Sequence, residues 1–167
     1  VDVRKLQMKK LVSFGSDVRV RALLCGSAAV LMAGAAFASQ AAIPATTYHL
    51  YVSTSGSDSN SGSKTAPLKT ITKAASLARA STTVHVAPGT YYETVKTRVA
   101  GTSSGRVYFV SDTRWGAKIV GGGTEATWTN NGNYVNIIGF DVSGSGRLGI
   151  LNWASYTSIA NNKVPHM

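Results

Sequence analysis

The sequence YVNIIGFDV, at residues 134–142, places two short β-rich runs on either side of a glycine and decides the fold. Similar runs recur along the chain, at residues 83–86, 106–110 and 156–159. With Val84, Val107, Val135 and Thr157 as equivalent positions, each repeat is roughly 22 to 28 residues long, within the range of solenoid repeats. Residues 117–120 and 139–142 form a second series with a similar spacing. Two short strands per repeat of this length predict a parallel β-helix, because hairpin sandwiches place strands about 8 to 12 residues apart.

The segment before these repeats predicts a helix that covers the first coil. Thr65 or Ala66 is placed near the N-cap, and Pro67 lies in the first turn, where its missing N–H costs nothing. We predict a helix over residues 67–80, preceded by a strand and a turn-rich loop over 39–66. A cap at this point would protect the unpaired edge of the first coil from aggregation. The coils themselves are expected over residues 81–167.

Residues 1–38 have the pattern of a secretory signal peptide. Met8 and the two lysines after it form a positive n-region, an apolar stretch follows, and AFA at residues 36–38 suits a signal peptidase. We expect cleavage after Ala38, with Ala41 as the second choice, and a secreted or extracellular protein, with the periplasm as the alternative compartment. A transmembrane anchor is the competing interpretation, but about 17 apolar residues are few for a bilayer span. The true start is Val1 or Met8.

Composition excludes a disordered polyelectrolyte and favours a polyanionic partner. The chain has 167 residues and a net charge of +10, yet 44% of its residues are hydrophobic and only 14% are charged. Eleven basic and five acidic residues follow residue 38, so the mature part carries +6. This charge would attract an acidic polymer. We expect no nucleic-acid partner, because export and the lack of a basic run with interleaved aromatics argue against it.

The sequence resembles the N-terminal part of secreted right-handed parallel β-helix proteins, notably the family-nine pectate lyases and related bacterial proteins. The resemblance spans nearly all of residues 48–164. It depends most on residues 51–62, 66–71, 84–91, 137–142 and 149–150. It implies an all-β coil and β-elimination on an acidic, pectate-like polysaccharide, with Ca²⁺ and a Lys or Arg base. In that family these catalytic groups lie on later coils, so no catalytic, cofactor or metal residue is assigned in this chain.

The chain stops just after a strand, with neither a second helix nor a polar coil to cover it, and we therefore expect an N-terminal fragment of a longer, monomeric protein. Whether the chain is an enzyme stays open at this point. The leading interpretation is a secreted polysaccharide lyase whose catalytic coils are missing here. The alternative is a non-catalytic polysaccharide-binding or adhesive β-helix, and a degraded reading frame is the third.

The aspartates and histidines, which often bind metals or take part in catalysis, have structural interpretations in this sequence. The loop from Asp58 to Gly62 alternates oxygen ligands, but it lacks the third carboxylate and the bidentate Glu of a Ca²⁺ loop, so we interpret it as a turn. Asp141 alternates with apolar neighbours and is interpreted as an outward, solvated residue. His49 and His85 are likewise expected to point outward, and with His166 they show no metal-ligand spacing.

Asparagines near the turns are predicted to bond to the backbone or to the equivalent Asn of the next coil. They are Asn133, Asn136, Asn152, Asn161 and Asn162. The three tryptophans could stack on sugar rings, but we interpret them as packing residues. They are Trp115, Trp128 and Trp153. A further set of residues supplies the charge that would attract a polyanion. They are Arg98, Arg106, Arg114, Lys118, Arg147 and Lys163.

Overall fold

A computed structural model of the chain describes residues 46–123 and 125–165. The predicted signal peptide, its cleavage site and His166 lie outside the described residues. Within the described ranges, no helix is both long enough and apolar enough to cross a membrane.

The described residues form eleven strands in three parallel sheets; three coils contribute one strand to each sheet, whereas the first and the last strand belong to the first and last described coils and join only the largest sheet. The strands are β1 Tyr48–Val52, β2 Thr82–Val86, β3 Gly89–Tyr91, β4 Val95–Thr97, β5 Val107–Ser111, β6 Ala117–Gly121, β7 Ala126–Asn130, β8 Val135–Ile138, β9 Asp141–Gly144, β10 Leu148–Asn152 and β11 Ser158–Ala160. The sheet orders are β1-β2-β5-β8-β11, β3-β6-β9 and β4-β7-β10. All pairings are parallel and join strands one coil apart. The predicted all-β parallel β-helix is confirmed.

The coil has three strands per turn rather than the two that the sequence repeat predicted. The additional sheet is built from β4, β7 and β10. The strand β4 has only three residues, and β7 is the polar sequence ATWTN. Neither stands out as an apolar run, and for this reason the repeat pattern did not reveal them.

The register differs from the predicted equivalences by two residues in the first series, which leaves the inward face unchanged, and by one residue in the second series, which exchanges the two faces. Val84 pairs with Phe109 rather than with Val107, which is two residues away. Val107 pairs with Val135 as predicted. In the second series, Lys118 pairs with Asp141, so the repeat there is one residue longer than predicted. The alternation of apolar and polar residues identifies which side chains of one strand are buried, but it does not fix which residues of two neighbouring strands pair.

Equivalent apolar residues of successive coils stack into a continuous core. Val84, Phe109 and Ile137 are aligned across three strands and are fully buried. Trp128 is fully buried beside them, and its ring meets those of Phe109 and Phe140 edge-on, with centroids 5.4 and 5.2 Å apart. The predicted packing role of this tryptophan is confirmed.

The single described helix, α1, spans Ile71–Leu77 and is shorter than the predicted range of 67–80. Thr70, not Thr65 or Ala66, is the N-cap, and its hydroxyl accepts a hydrogen bond from the Lys73 N–H. Residues 67–70 cannot join the helix, because Leu68 instead forms a parallel bridge with Val52. The buried face of α1 joins the coil core.

Candidate functional site

Three equivalent residues stack in the turn that leads into the five-stranded sheet. Tyr108, Asn136 and Ser158 are aligned across neighbouring strands. Two residues before them lie Arg106, Tyr134 and Tyr156, which therefore occupy the same position in successive coils. We call these three residues the aromatic ladder. Parallel strands in a sheet are about 4.8 Å apart, so side chains at this position must lie one above the other. The ladder therefore follows directly from the coil geometry.

The two tyrosines of the ladder stack face to face, with centroids 4.6 Å apart and an interplanar angle of 6°. The guanidinium of Arg106 lies 5.7 Å from the centre of the Tyr134 ring. Arg106 also donates hydrogen bonds to Asn136 Oδ1, at 2.8 Å from Nη2, and to the Tyr156 carbonyl. These contacts hold a cation at one end of an aromatic stack.

At its other end the ladder reaches the last of the described coils. Tyr156 is 67% exposed, and Trp153, which belongs to the same turn, is 70% exposed. Aromatic rings present a broad apolar face with a polar edge. Such a face suits the C–H groups of a sugar ring, while a nearby guanidinium suits a carboxylate. Trp153 lies in the last of the described coils, and its packing role stays a prediction. Trp115 is also exposed, at 44%, and its indole N–H donates to the Asn161 carbonyl.

A second polar cluster lies on the outer face of the same sheet, and it contains both described histidines. His85 Nδ1 is 3.1 Å from Asp112 Oδ1, and His85 Nε2 is 3.1 Å from His49 Nδ1. The ring of Tyr51 stacks on His85 with centroids 4.8 Å apart. We call His49, His85 and Asp112 the histidine chain. Both histidines point outward as predicted, and the register of three coils joins them to Asp112.

The loop from Asp58 to Gly62 is a turn, as predicted. The Asp58 carboxylate accepts hydrogen bonds from the Lys69 N–H, the Thr70 N–H and the Thr70 hydroxyl, all at 2.8 to 2.9 Å. Burial raises the pKa of Asp58, but the hydrogen bonds from Thr70 and Lys69, with the charge of Lys73, outweigh this effect and hold it below its ordinary value. This carboxylate therefore fastens the loop to the start of α1.

Asp141 is an ion-pair partner rather than a solvated residue, so that interpretation needs correction. Its side chain is 14% exposed, and its carboxylate lies 3.4 Å from Lys163 Nζ of the next coil. The bridge between the backbones of these two residues brings the side chains together, which the single-strand pattern could not show. Asp58, Asp112 and Asp141 are thus each engaged at separate places. Within 46–123 and 125–165, no group of three His, Cys, Asp or Glu residues could hold a metal ion, so these residues do not fit a Ca²⁺ site.

The asparagines near the turns connect successive coils, which confirms their predicted structural role. Asn152 accepts a hydrogen bond from the buried Asn130, its equivalent in the previous coil, at 2.8 Å. Asn162 accepts from the Phe140 N–H and donates to the Ile137 carbonyl. Asn133 accepts from a backbone N–H of the next coil. These amide contacts fix the turns between successive coils.

Sequence reasoning identified Arg106 as a basic residue but missed the aromatic ladder. The signal was present, because Tyr134 and Tyr156 are one repeat apart and each precedes a strand. The histidine chain had a weaker signal, since its members come from three different coils and their alignment depends on the register. Arg106 is half-buried, whereas the other basic residues of the predicted set are exposed. The exposed ones are Arg98, Arg114, Lys118, Arg147 and Lys163.

Comparisons with known proteins agree with this architecture. A family model described as "Protein of unknown function (DUF1565)" matches residues 54–144. The chain is 43% identical over 61 residues to "Uncharacterized protein YwoF" of Bacillus subtilis (strain 168), an alignment that covers 36% of this chain and 13% of the relative. A solved structure of a rhamnogalacturonan lyase is similar with a TM-score of 0.51 and 19% identity, covering 59% of this chain and 29% of that one.

The chain thus spans a small part of the length of each of these two proteins. At 19% identity the structural likeness shows the fold alone. The expected parallel β-helix fold is confirmed by it. The finer resemblance to the family-nine pectate lyases stays a prediction.

Proposed function

Since the chain belongs to the DUF1565 family and folds as a parallel β-helix, we propose that it is part of a secreted, polysaccharide-active protein that binds an acidic, pectate-like polymer. The aromatic ladder, in which Tyr134 stacks on Tyr156 beside the Arg106 guanidinium, carries this proposal. Tyr156 and Trp153 offer apolar faces to sugar rings, and Arg106 adds a fixed positive charge on the same surface. The net charge of +6 after residue 38 would attract a polymer of uronates.

Affinity electrophoresis of the full chain tests this proposal. Polygalacturonate in the gel should retard the protein, whereas the methyl-esterified polymer should retard it much less because the carboxylates are masked. Added salt should weaken the retardation, since exposed charges are screened within about 10 Å at 0.1 M ionic strength. Equal retardation by the charged and the esterified polymers would contradict an acidic ligand.

We further propose that the whole protein cleaves its polymer by β-elimination, on coils other than those described. In this reaction a base removes the proton beside the uronate carboxyl group and the glycosidic oxygen leaves, so an unsaturated uronide forms. The likeness of the coil to a polysaccharide lyase supports an enzyme of this class. Asp58, Asp112 and Asp141 are engaged in other contacts, so the described coils would supply binding rather than chemistry.

That same engagement of the carboxylates favours the second candidate function, a non-catalytic binding β-helix. The two functions differ in one measurement, the absorbance of unsaturated uronides released from polygalacturonate by the product of the complete gene. A lyase releases them in proportion to enzyme concentration. Retardation in the gel without any release would assign the protein to the binding class.

A further inference from the structure

The histidine chain places three ionisable side chains in one continuous line of hydrogen bonds. His49 lies on β1, His85 on β2, and Asp112 directly follows β5. His85 uses both ring nitrogens, one towards Asp112 and one towards His49, each at 3.1 Å. The nearly parallel ring of Tyr51, at an interplanar angle of 13°, holds the plane of His85. A rigid sheet therefore positions all of these groups.

The chemistry of the donors fixes where each proton must be. An ionised carboxylate only accepts hydrogen bonds, so the bond to Asp112 requires a proton on His85 Nδ1. A neutral His85 then has its lone pair on Nε2, which accepts from His49 Nδ1–H. The lone pair of His49 is consequently on Nε2. His49 is exposed, and its Nε2 has no hydrogen-bond partner among the described residues.

We propose that His49, His85 and Asp112 form a proton-relay site, in which His49 Nε2 accepts a proton from a hydroxyl group or a water molecule. When a proton arrives at Nε2, the Nδ1 proton of His49 passes to His85 Nε2. The positive charge then lies on His85, next to the Asp112 carboxylate, and one proton has been taken up in total. A carboxylate orients and stabilises a basic imidazole in the same way in the Ser-His-Asp triad. The site uses no residue of the aromatic ladder, so it is independent of the proposed binding surface.

Imidazole ¹⁵N NMR of the full, histidine-labelled chain tests the arrangement of protons. At a pH where the rings are neutral, both His49 and His85 should carry the proton on Nδ1. In Asp112→Ala this preference should be lost at both rings, although the carboxylate touches only His85. Asp141→Ala, which removes an outward carboxylate elsewhere on the coil, should leave both rings unchanged. A wild-type His49 protonated on Nε2, or one that does not respond to Asp112→Ala, would overturn the relay.

Carbethoxylation by diethyl pyrocarbonate tests the reactivity of the proposed acceptor atom. The unprotonated imidazole nitrogen attacks the carbonyl, an N–C bond forms, and ethyl carbonate leaves as CO₂ and ethanol. Mass spectrometry should show His49 modified faster than His85, whose nitrogens are both engaged. His85→Phe preserves the stacked ring but breaks the relay, and it should slow modification of His49 several-fold with His166 as internal reference. Equal rates at His49 and His85 in the wild type, or an unchanged His49 rate in His85→Phe, would refute the proposal.

Discussion

The buried hydrogen bond between Trp128 and Thr97 gives the sharpest test of the packing. Trp128 Nε1 donates to Thr97 Oγ1 at 2.9 Å, and both side chains are fully buried. Thr97→Val is nearly isosteric and leaves the indole N–H unpaired, which costs about 1 to 3 kcal/mol of unfolding free energy. Trp128→Phe leaves the hydroxyl unpaired and opens a cavity of roughly 40 Å³, which adds about 1 kcal/mol at ~24 cal/mol per Å³.

The double variant removes both polar partners, so it should cost less than the sum of the single variants by about 1 kcal/mol or more. Urea unfolding of the full chain, followed by far-UV circular dichroism, measures all three changes. Trp153→Phe is the matched control, because this ring is 70% exposed and its replacement should change stability by less than about 0.5 kcal/mol. Strictly additive costs, or a neutral Thr97→Val, would refute the reasoning.

Other features of the coil give predictions of known direction. A Cβ at Gly132 would lie 1.8 Å from the Val99 carbonyl oxygen, whereas one at Gly122 would meet nothing within 4 Å. Gly132→Ala should therefore abolish or severely weaken folding, and thermal melting should show Gly122→Ala nearly unchanged. Because the folded state lowers the pKa of Asp58, its contribution to stability is present above the unfolded pKa and is lost as pH falls through the folded pKa. Asp58→Asn should thus flatten the acid limb of the stability profile, and equal slopes would contradict this. Burial and then the negative charges of Glu93 and Asp112 raise the pKa of Tyr91 from 10.0 to about 12. Stability should fall between these two pH values, and Tyr91→Phe should reduce the fall in an alkaline denaturation series.

The sequence predicted the coil because its strongest strands are apolar on the inward face. Val84, Val107 and Ile137 are all buried, even though one of the equivalences was wrong by two residues. The sequence pattern did not predict the third sheet, because β4 has only three residues and most residues of β7 are polar. The predicted start of the helix was wrong, because Leu68, which fits a helical pattern, instead forms a parallel β-bridge with Val52.

The candidate sites were less predictable than the fold, since both depend on which coils lie next to each other. The aromatic ladder requires Tyr134 and Tyr156 to share one turn position, and the spacing of the sequence repeat was enough to indicate it. The histidine chain requires His85 to face Asp112, 27 residues later, across a coil whose length the sequence had misjudged. A pattern within one strand carries no information on such contacts.

Isothermal titration of the full chain with oligogalacturonates tests the central claim most directly. The wild type should bind with a saturable heat, and Tyr156→Ala should bind several-fold more weakly because it removes one of the two stacked rings of the ladder. Tyr92→Ala serves as the control, since Tyr92 is 82% exposed but lies outside the ladder. Binding that is weakened only in Tyr156→Ala is the predicted result, and equal affinity in the wild type and Tyr156→Ala would contradict a binding role of the ladder.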